Sequence, residues 1–162
     1  MACDSYMVQT TLDGMQATER LARVLASSLQ KGDFIALAGA LGAGKTTLAR
    51  CMVQTLVPGE EVPSPTFTLV QAYDAPGFRI AHADLYRLRS EREIVELGFD
   101  EALEAGVLIV EWPDRMGGLM PADRLDIILE VDDGAEERRT KIIGRGAWAA
   151  RLRGLHRTRH LS

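Results

Sequence analysis

Cysteine is scarce in this chain. Cys3 and Cys51 are the two present, and they show no metal-ligand spacing, so neither a disulfide framework nor a thiolate metal centre organises the fold. Cys51 reads as a small buried thiol on a helix. No apolar run approaches the length of a membrane span, and no signal peptide is expected before the fold. The expectation is a cytoplasmic protein with no membrane contact. Internal repeats, low-complexity tracts and an interdomain linker are also lacking.

What remains is an ordinary globular composition. At 162 residues, 46% hydrophobic and 26% charged, the chain suits one domain with a proper core. We take 1–162 as one unit, with its core over 17–144 and a basic segment over 145–162. That segment carries Arg145, Arg151, Arg153, Arg157 and Arg159 and no acid, so the net charge of −4 leaves −9 on the rest. An acidic body with a basic tail points either to a partner or polyanion contact at the tail or to a solvated, partly frayed last helix.

The most informative stretch is Gly39-Ala40-Leu41-Gly42-Ala43-Gly44-Lys45-Thr46, which matches the phosphate-loop pattern G-x-x-x-x-G-K-[ST]. Upstream, Phe34 to Ala38 is an apolar run suited to a buried parallel strand. Downstream, Leu48, Met52 and Leu56 mark one face of a helix running from Thr47 to Leu56. Strand, glycine loop and helix together give the pattern physical meaning. Gly42, Ala43, Gly44, Lys45, Thr46 and Thr47 would direct backbone N–H groups, an ammonium and a hydroxyl at phosphate and Mg²⁺.

Around this loop the chain reads as α/β. Thr10-Thr11-Leu12 is a short strand or an extended lead-in, and Ala17 to Gln30 is a helix. Thr66 to Tyr73 and Arg79 to Asp84 are strand-like runs flanking the turn Asp74-Ala75-Pro76-Gly77. Glu91 to Leu97 and Asp100 to Leu103 are short helices separated by Gly98. Val107 to Val110 is a second buried strand, ending in Glu111-Trp112-Pro113. Leu125 to Val131 and Arg138 to Ile143 form a hairpin across Asp132-Asp133-Gly134, and Ala147 to Leu155 is a last helix. The fold class is a single-domain P-loop NTPase, with a central, mostly parallel sheet flanked by helices and antiparallel hairpin additions.

A triphosphate site also needs an acid near Mg²⁺, a group that orients water and a γ-phosphate sensor. Glu111, at the carboxyl end of a buried strand, is the first candidate and stands where a Walker B aspartate usually does. Asp84, at the end of the preceding strand, is the second, to hold Mg²⁺ through water or to polarise the nucleophile. Thr66, in the stiff Ser64-Pro65-Thr66-Phe67 loop, is the candidate sensor. His82 faces the same side as Asp84 and is read as a packed, hydrogen-bonded residue. The D-x-x-G match at Asp74–Gly77 lies in a hairpin turn, and no N-K-x-D guanine-reading motif occurs, which favours adenine. No arginine near the loop is an obvious in-cis finger, so low intrinsic turnover is expected.

Four motifs occur together in order: the phosphate loop through Thr47, Ser64-Pro65-Thr66-Phe67-Thr68-Leu69-Val70, His82-Ala83-Asp84-Leu85-Tyr86-Arg87, and Glu111-Trp112-Pro113. Through them the chain closely resembles, from about Thr18 to Arg115, the TsaE (YjeE) family of bacterial ATPases required for threonylcarbamoyladenosine in tRNA. The resemblance implies ATP and Mg²⁺ as cofactors, with Thr46 and Glu111 as metal ligands. It implies TsaB and TsaD as protein partners, tRNA contact through that complex, and modification of adenosine 37 in tRNAs reading ANN codons. No DNA is expected. By position, Thr66 and Asp84 belong to the switch and acidic motifs with Glu111, Trp112 flanks the site, and Asp13, Met15 and Thr18 lie near the adenine. Two departures stand out: Ala40 where relatives often carry an acid, and Ala83 where they usually carry phenylalanine. Alternatives left open are a small-molecule kinase on the same fold and an assembly module in which hydrolysis is incidental.

Overall fold

Among the described residues seven strands form one mixed sheet in the order β1-β7-β6-β2-β5-β4-β3. The computed structural model describes residues 4–132, 136–158 and 161. Cys3, Arg159 and the Asp133-Gly134 part of the expected acidic turn lie outside the described residues. The strands are β1 (Ser5–Asp13), β2 (Phe34–Gly39), β3 (Val70–Ala75), β4 (Phe78–Asp84), β5 (Gly106–Glu111), β6 (Arg124–Val131) and β7 (Glu137–Arg145). The helices are α1 (Gly14–Ser27), α2 (Lys45–Leu56), α3 (Glu91–Val95), α4 (Phe99–Ala105) and α5 (Ala147–Arg157). A 3₁₀ segment, Pro113–Leu119, follows β5 and is interrupted at Gly117.

The centre of the sheet is parallel: β2 pairs with β5 and β6, and β4 pairs with β5. β5 is buried along its whole length, as a strand covered on both faces must be. The antiparallel additions are β3 on β4 and the β6–β7–β1 run. Each face carries a core. Ile35, Leu37, Ile80, Val107 and Ile109 pack with Leu21 and Leu25 of α1, Leu48 and Met52 of α2, and Trp148 and Leu152 of α5. On the other face Ala36, Ala83, Leu108 and Val110 pack with Ile94, Phe99 and Met116. Alternation along each strand therefore decides which layer a side chain serves.

Several boundaries differ from the expectations. β1 is a full strand, because its backbone pairs with β7 from Ser5 to Asp13. α1 begins at Gly14 and stops at Ser27; the Ser28 hydroxyl donates to the Leu25 carbonyl, and the Asp33 carboxylate accepts the Gln30 N–H, turning the chain early. Thr66 to Leu69 form a turn rather than strand, since Leu69 has φ 67 and its N–H bonds the Pro65 carbonyl. The turn at Pro76-Gly77 joins β3 to β4 as expected.

The basic segment is largely structural. Arg145 pairs with Asp126. Arg151 pairs with Asp33 and lies 4.0 Å over the Trp148 ring. Trp148, Ala149 and Leu152 are buried, so α5 closes the core and is not a solvated appendage.

Two measurements check this packing. Arg151→Ala strands the mostly buried Asp33 carboxylate and should lower unfolding stability by about 2 kcal/mol in urea titration. Burial, reinforced by the Glu19 carboxylate, pushes the Cys51 thiol above its ordinary pKa. A raised pKa means less thiolate at mildly alkaline pH, so in a Cys3→Ser background alkylation of Cys51 should run about tenfold slower than that of a free thiol, the gap closing in denaturant.

Candidate functional site

The site begins where β2 ends. A Cβ on Gly39 would stand 2.6 Å from the Leu129 carbonyl of β6, so only glycine lets the chain leave the sheet there. Gly44 has φ +105 and leads straight into α2 at Lys45. The first amides of α2 have no preceding turn to bond, and they give this corner the positive end of a helix. Lys45 is 4% exposed. Its Nζ donates to the carbonyls of Gly39 (2.7 Å) and Ala40 (2.9 Å) and lies 4.1 Å over the Trp112 ring. Burial lowers its pKa below the ordinary value, while the carboxylates of Glu111, Asp84 and Asp114 act in the opposite sense. A buried ammonium beside free amides is suited to a polyanion.

Glu111 is the meeting point of three elements and is 2% exposed. One carboxylate oxygen accepts the Thr46 hydroxyl at 2.7 Å, and the other is 2.7 Å from His82 Nε2. His82 is fully buried, and among the described residues its Nδ1 has no partner. His82 is thus the packed, hydrogen-bonded residue expected of it, and its partner is Glu111 on the neighbouring strand, which alternation along β4 alone does not reveal. Asp84 is the register neighbour of Glu111 across β4 and β5. Its Oδ2 accepts the Thr66 hydroxyl at 3.1 Å, and its Oδ1 accepts the Tyr86 N–H at 3.0 Å. Ser64 and Thr66 share a hydroxyl contact of 2.7 Å. Thr66–Asp84 and Thr46–Glu111 are thus two hydrogen-bonded pairs set side by side at neighbouring strand ends.

A hydroxyl and a carboxylate are hard oxygen donors of the kind that Mg²⁺ takes. Among the described residues no cluster of three histidine, cysteine or acidic side chains could hold a metal unaided. The donor set therefore suits an ion whose remaining ligands come from phosphate and water.

Trp112 follows Glu111 in a left-handed conformation, φ 58, held between Lys45 and the Tyr86 ring, whose centroid is 5.0 Å away. On the far side of the loop a cavity of about 260 Å³ is lined by Met15, Thr18, Thr47 and Leu48, with Arg138 as a further wall. Met15, Thr18 and Thr47 are brought together there. Asp13 does not line the cavity and is exposed at the end of β1. Arg138 was read only as a strand residue; nothing local marks it, because it reaches the loop through sheet register.

His82→Ala would leave the buried Glu111 carboxylate short of one partner. It should lower stability by about 2 kcal/mol or more in urea unfolding, with His82→Gln recovering part of the loss.

The family profile described as threonylcarbamoyl adenosine biosynthesis protein TsaE matches residues 12–140. A Rickettsia conorii protein named tRNA threonylcarbamoyladenosine biosynthesis protein TsaE is 42% identical over 125 residues, 76% of this chain and 71% of that one. A Bacillus subtilis protein of the same name is 35% identical over 116 residues, covering 70% of this chain and 72% of its own. The crystal structure of Bacillus subtilis YdiB superposes with a TM-score of 0.80 at 26% identity, covering 95% of this chain and 97% of the other. With the profile spanning both sides of the loop and all four motifs, this chain belongs to the TsaE family.

Proposed function

We propose that this protein is an ATPase of tRNA threonylcarbamoyladenosine formation, working with TsaB- and TsaD-type partners in the cytoplasm. The observation that carries the reading is the contact of Thr46 with Glu111 beside the buried Lys45. It joins a phosphate-loop hydroxyl to a strand-end acid, as an NTP site requires.

In this reading the α2 amides and Lys45 bind the phosphates, and the cavity beside Met15 and Thr18 takes the adenine. Thr46 and Glu111 would hold Mg²⁺, which neutralises charge developing on the phosphate oxygens. His82 fixes the Glu111 carboxylate. Asp84 orients the attacking water, and Thr66, already bonded to Asp84, links that acid to the mobile end of the triphosphate. Hydrolysis would then be felt in the 64–69 loop and passed to partners, with tRNA met through the assembled complex. A small-molecule kinase would need a mobile lid between Arg87 and Val107. There Leu88, Ile94 and Phe99 are buried core residues, which weighs against that alternative.

The test is phosphate release from labelled ATP by the chain alone, and with TsaB, TsaD and tRNA added. Turnover should be low alone and rise in the complex. Glu111→Gln should keep nucleotide binding and lose about a hundredfold in rate; equal rates would refute the role of Glu111. Label appearing in a metabolite would favour a kinase. Repeated rounds of tRNA modification by Glu111→Gln would favour the assembly module.

A further inference from the structure

Arg138 stands near the start of β7, opposite Leu12 of β1 and Val131 of β6. Its Nε donates to the carbonyl of Ala43, 95 residues earlier, at 2.7 Å. That carbonyl belongs to the peptide linking Ala43 to Gly44, in the middle of the phosphate loop. A trans peptide is planar, with its C=O and N–H pointing in opposite directions. Holding the Ala43 oxygen on Arg138 therefore turns the Gly44 N–H away from β7, toward the opposite side of the loop. The contact is also close: a Cβ on Gly44 would stand 3.1 Å from the same Nε. Gly44 and Arg138 are matched to each other.

Among the described residues the terminal nitrogens of Arg138 make no hydrogen bond, and no carboxylate pairs with its guanidinium. The side chain forms one wall of the cavity lined by Met15, Thr18, Thr47 and Leu48. A planar cation on the wall of a mostly apolar cavity, one residue from a phosphate cradle, is suited to a heteroaromatic ring attached to an anion.

We propose that Arg138 is a nucleotide-positioning residue: its Nε–H fixes the Ala43-Gly44 peptide so that the Gly44 amide faces phosphate, and its guanidinium walls the purine cavity. This rests on the nucleotide reading above and assigns the β6–β7 hairpin, which carries none of the recognised motifs, a share of the site.

Two substitutions separate the parts. In Arg138→Gln the side-chain amide nitrogen occupies the same place along the side chain as Nε, so the donor to Ala43 is retained while the cation is lost. Arg138→Lys keeps the charge but not the planar donor. ADP binding to the full chain is measured by calorimetry, with Lys45→Ala as control and the unfolding midpoint of each ligand-free variant alongside. Arg138→Ala should weaken ADP at least tenfold, equivalent to about 1.4 kcal/mol. Arg138→Gln should recover part of the loss, the shortfall measuring the guanidinium's contact with the base, and Arg138→Lys little of it, with ligand-free midpoints nearly unchanged; glutamine restoring wild-type affinity in full would overturn the guanidinium's share. Arg138→Ala binding ADP like wild type, while Lys45→Ala does not bind, would overturn the role of Arg138 and leave the nucleotide reading standing. Lysine restoring affinity as well as glutamine would overturn the peptide-positioning step. Wild type failing to bind ADP would overturn both readings.

Discussion

The Glu111 carboxylate is the constraint on which the rest of the site depends. It is ionisable and almost wholly buried, and such a group is tolerated only when both oxygens are paired. One partner comes from the start of α2 and the other from the middle of β4, so β2, β4 and β5 must hold one register. Leu37 and Asp84 are the neighbours of Glu111 on either side. A slip of one residue in β5 would point Glu111 into the face covered by Phe99 and Met116 and put Val110 against Thr46. The apolar run of β5 is thus also what aims its last residue.

Backbone conformation adds a second constraint. Trp112 and Leu69 are the non-glycine residues with positive φ among the described ones, each a cost of about 1–2 kcal/mol. Both border the site. Leu69 accepts the Asp84 N–H through its carbonyl, which ties the Thr66 turn to the acid that Thr66 bonds. Trp112 places its ring between Lys45 and Tyr86, where a cation–π contact offsets some of the strain. Strain is concentrated at the two turns flanking the carboxylates, as is common where geometry is needed for chemistry.

Much of this was legible in the sequence, for a physical reason. The phosphate loop, the buried strand ending in Glu111 and the loop that carries Thr66 each depend on local pattern: glycine spacing, an apolar run, a proline-stiffened turn. Sheet pairing left no such mark. β1 was visible only over Thr10–Leu12, because Ser5 to Gln9 alternate weakly and are fixed by β7. The tail arginines looked like a free basic patch because Asp33 and Asp126, which pair with Arg151 and Arg145, lie far away in sequence. Arg138 was hidden for the same reason, and His82 was seen without its partner.

The sheet order itself explains how the hidden residue joins the visible ones. β4, β5, β2 and β6 run parallel and end on one edge, where Asp84, Glu111, Gly39 and Val131 lie. β7 runs antiparallel to β6, so it presents its first residues, not its last, at that edge, and Arg138 faces Val131 there. β1 reverses again and brings Leu12 opposite Arg138, with Met15 and Thr18 following on α1. A rule that looks for ligand residues only at strand carboxyl ends therefore passes over β7. Across the edge from β1 to β3 the chain lays out an apolar cavity, an arginine, an amide cradle with its lysine, two acids and a threonine. That order is the one the proposed nucleotide, lying from base at β1 to terminal phosphate at β4, would require.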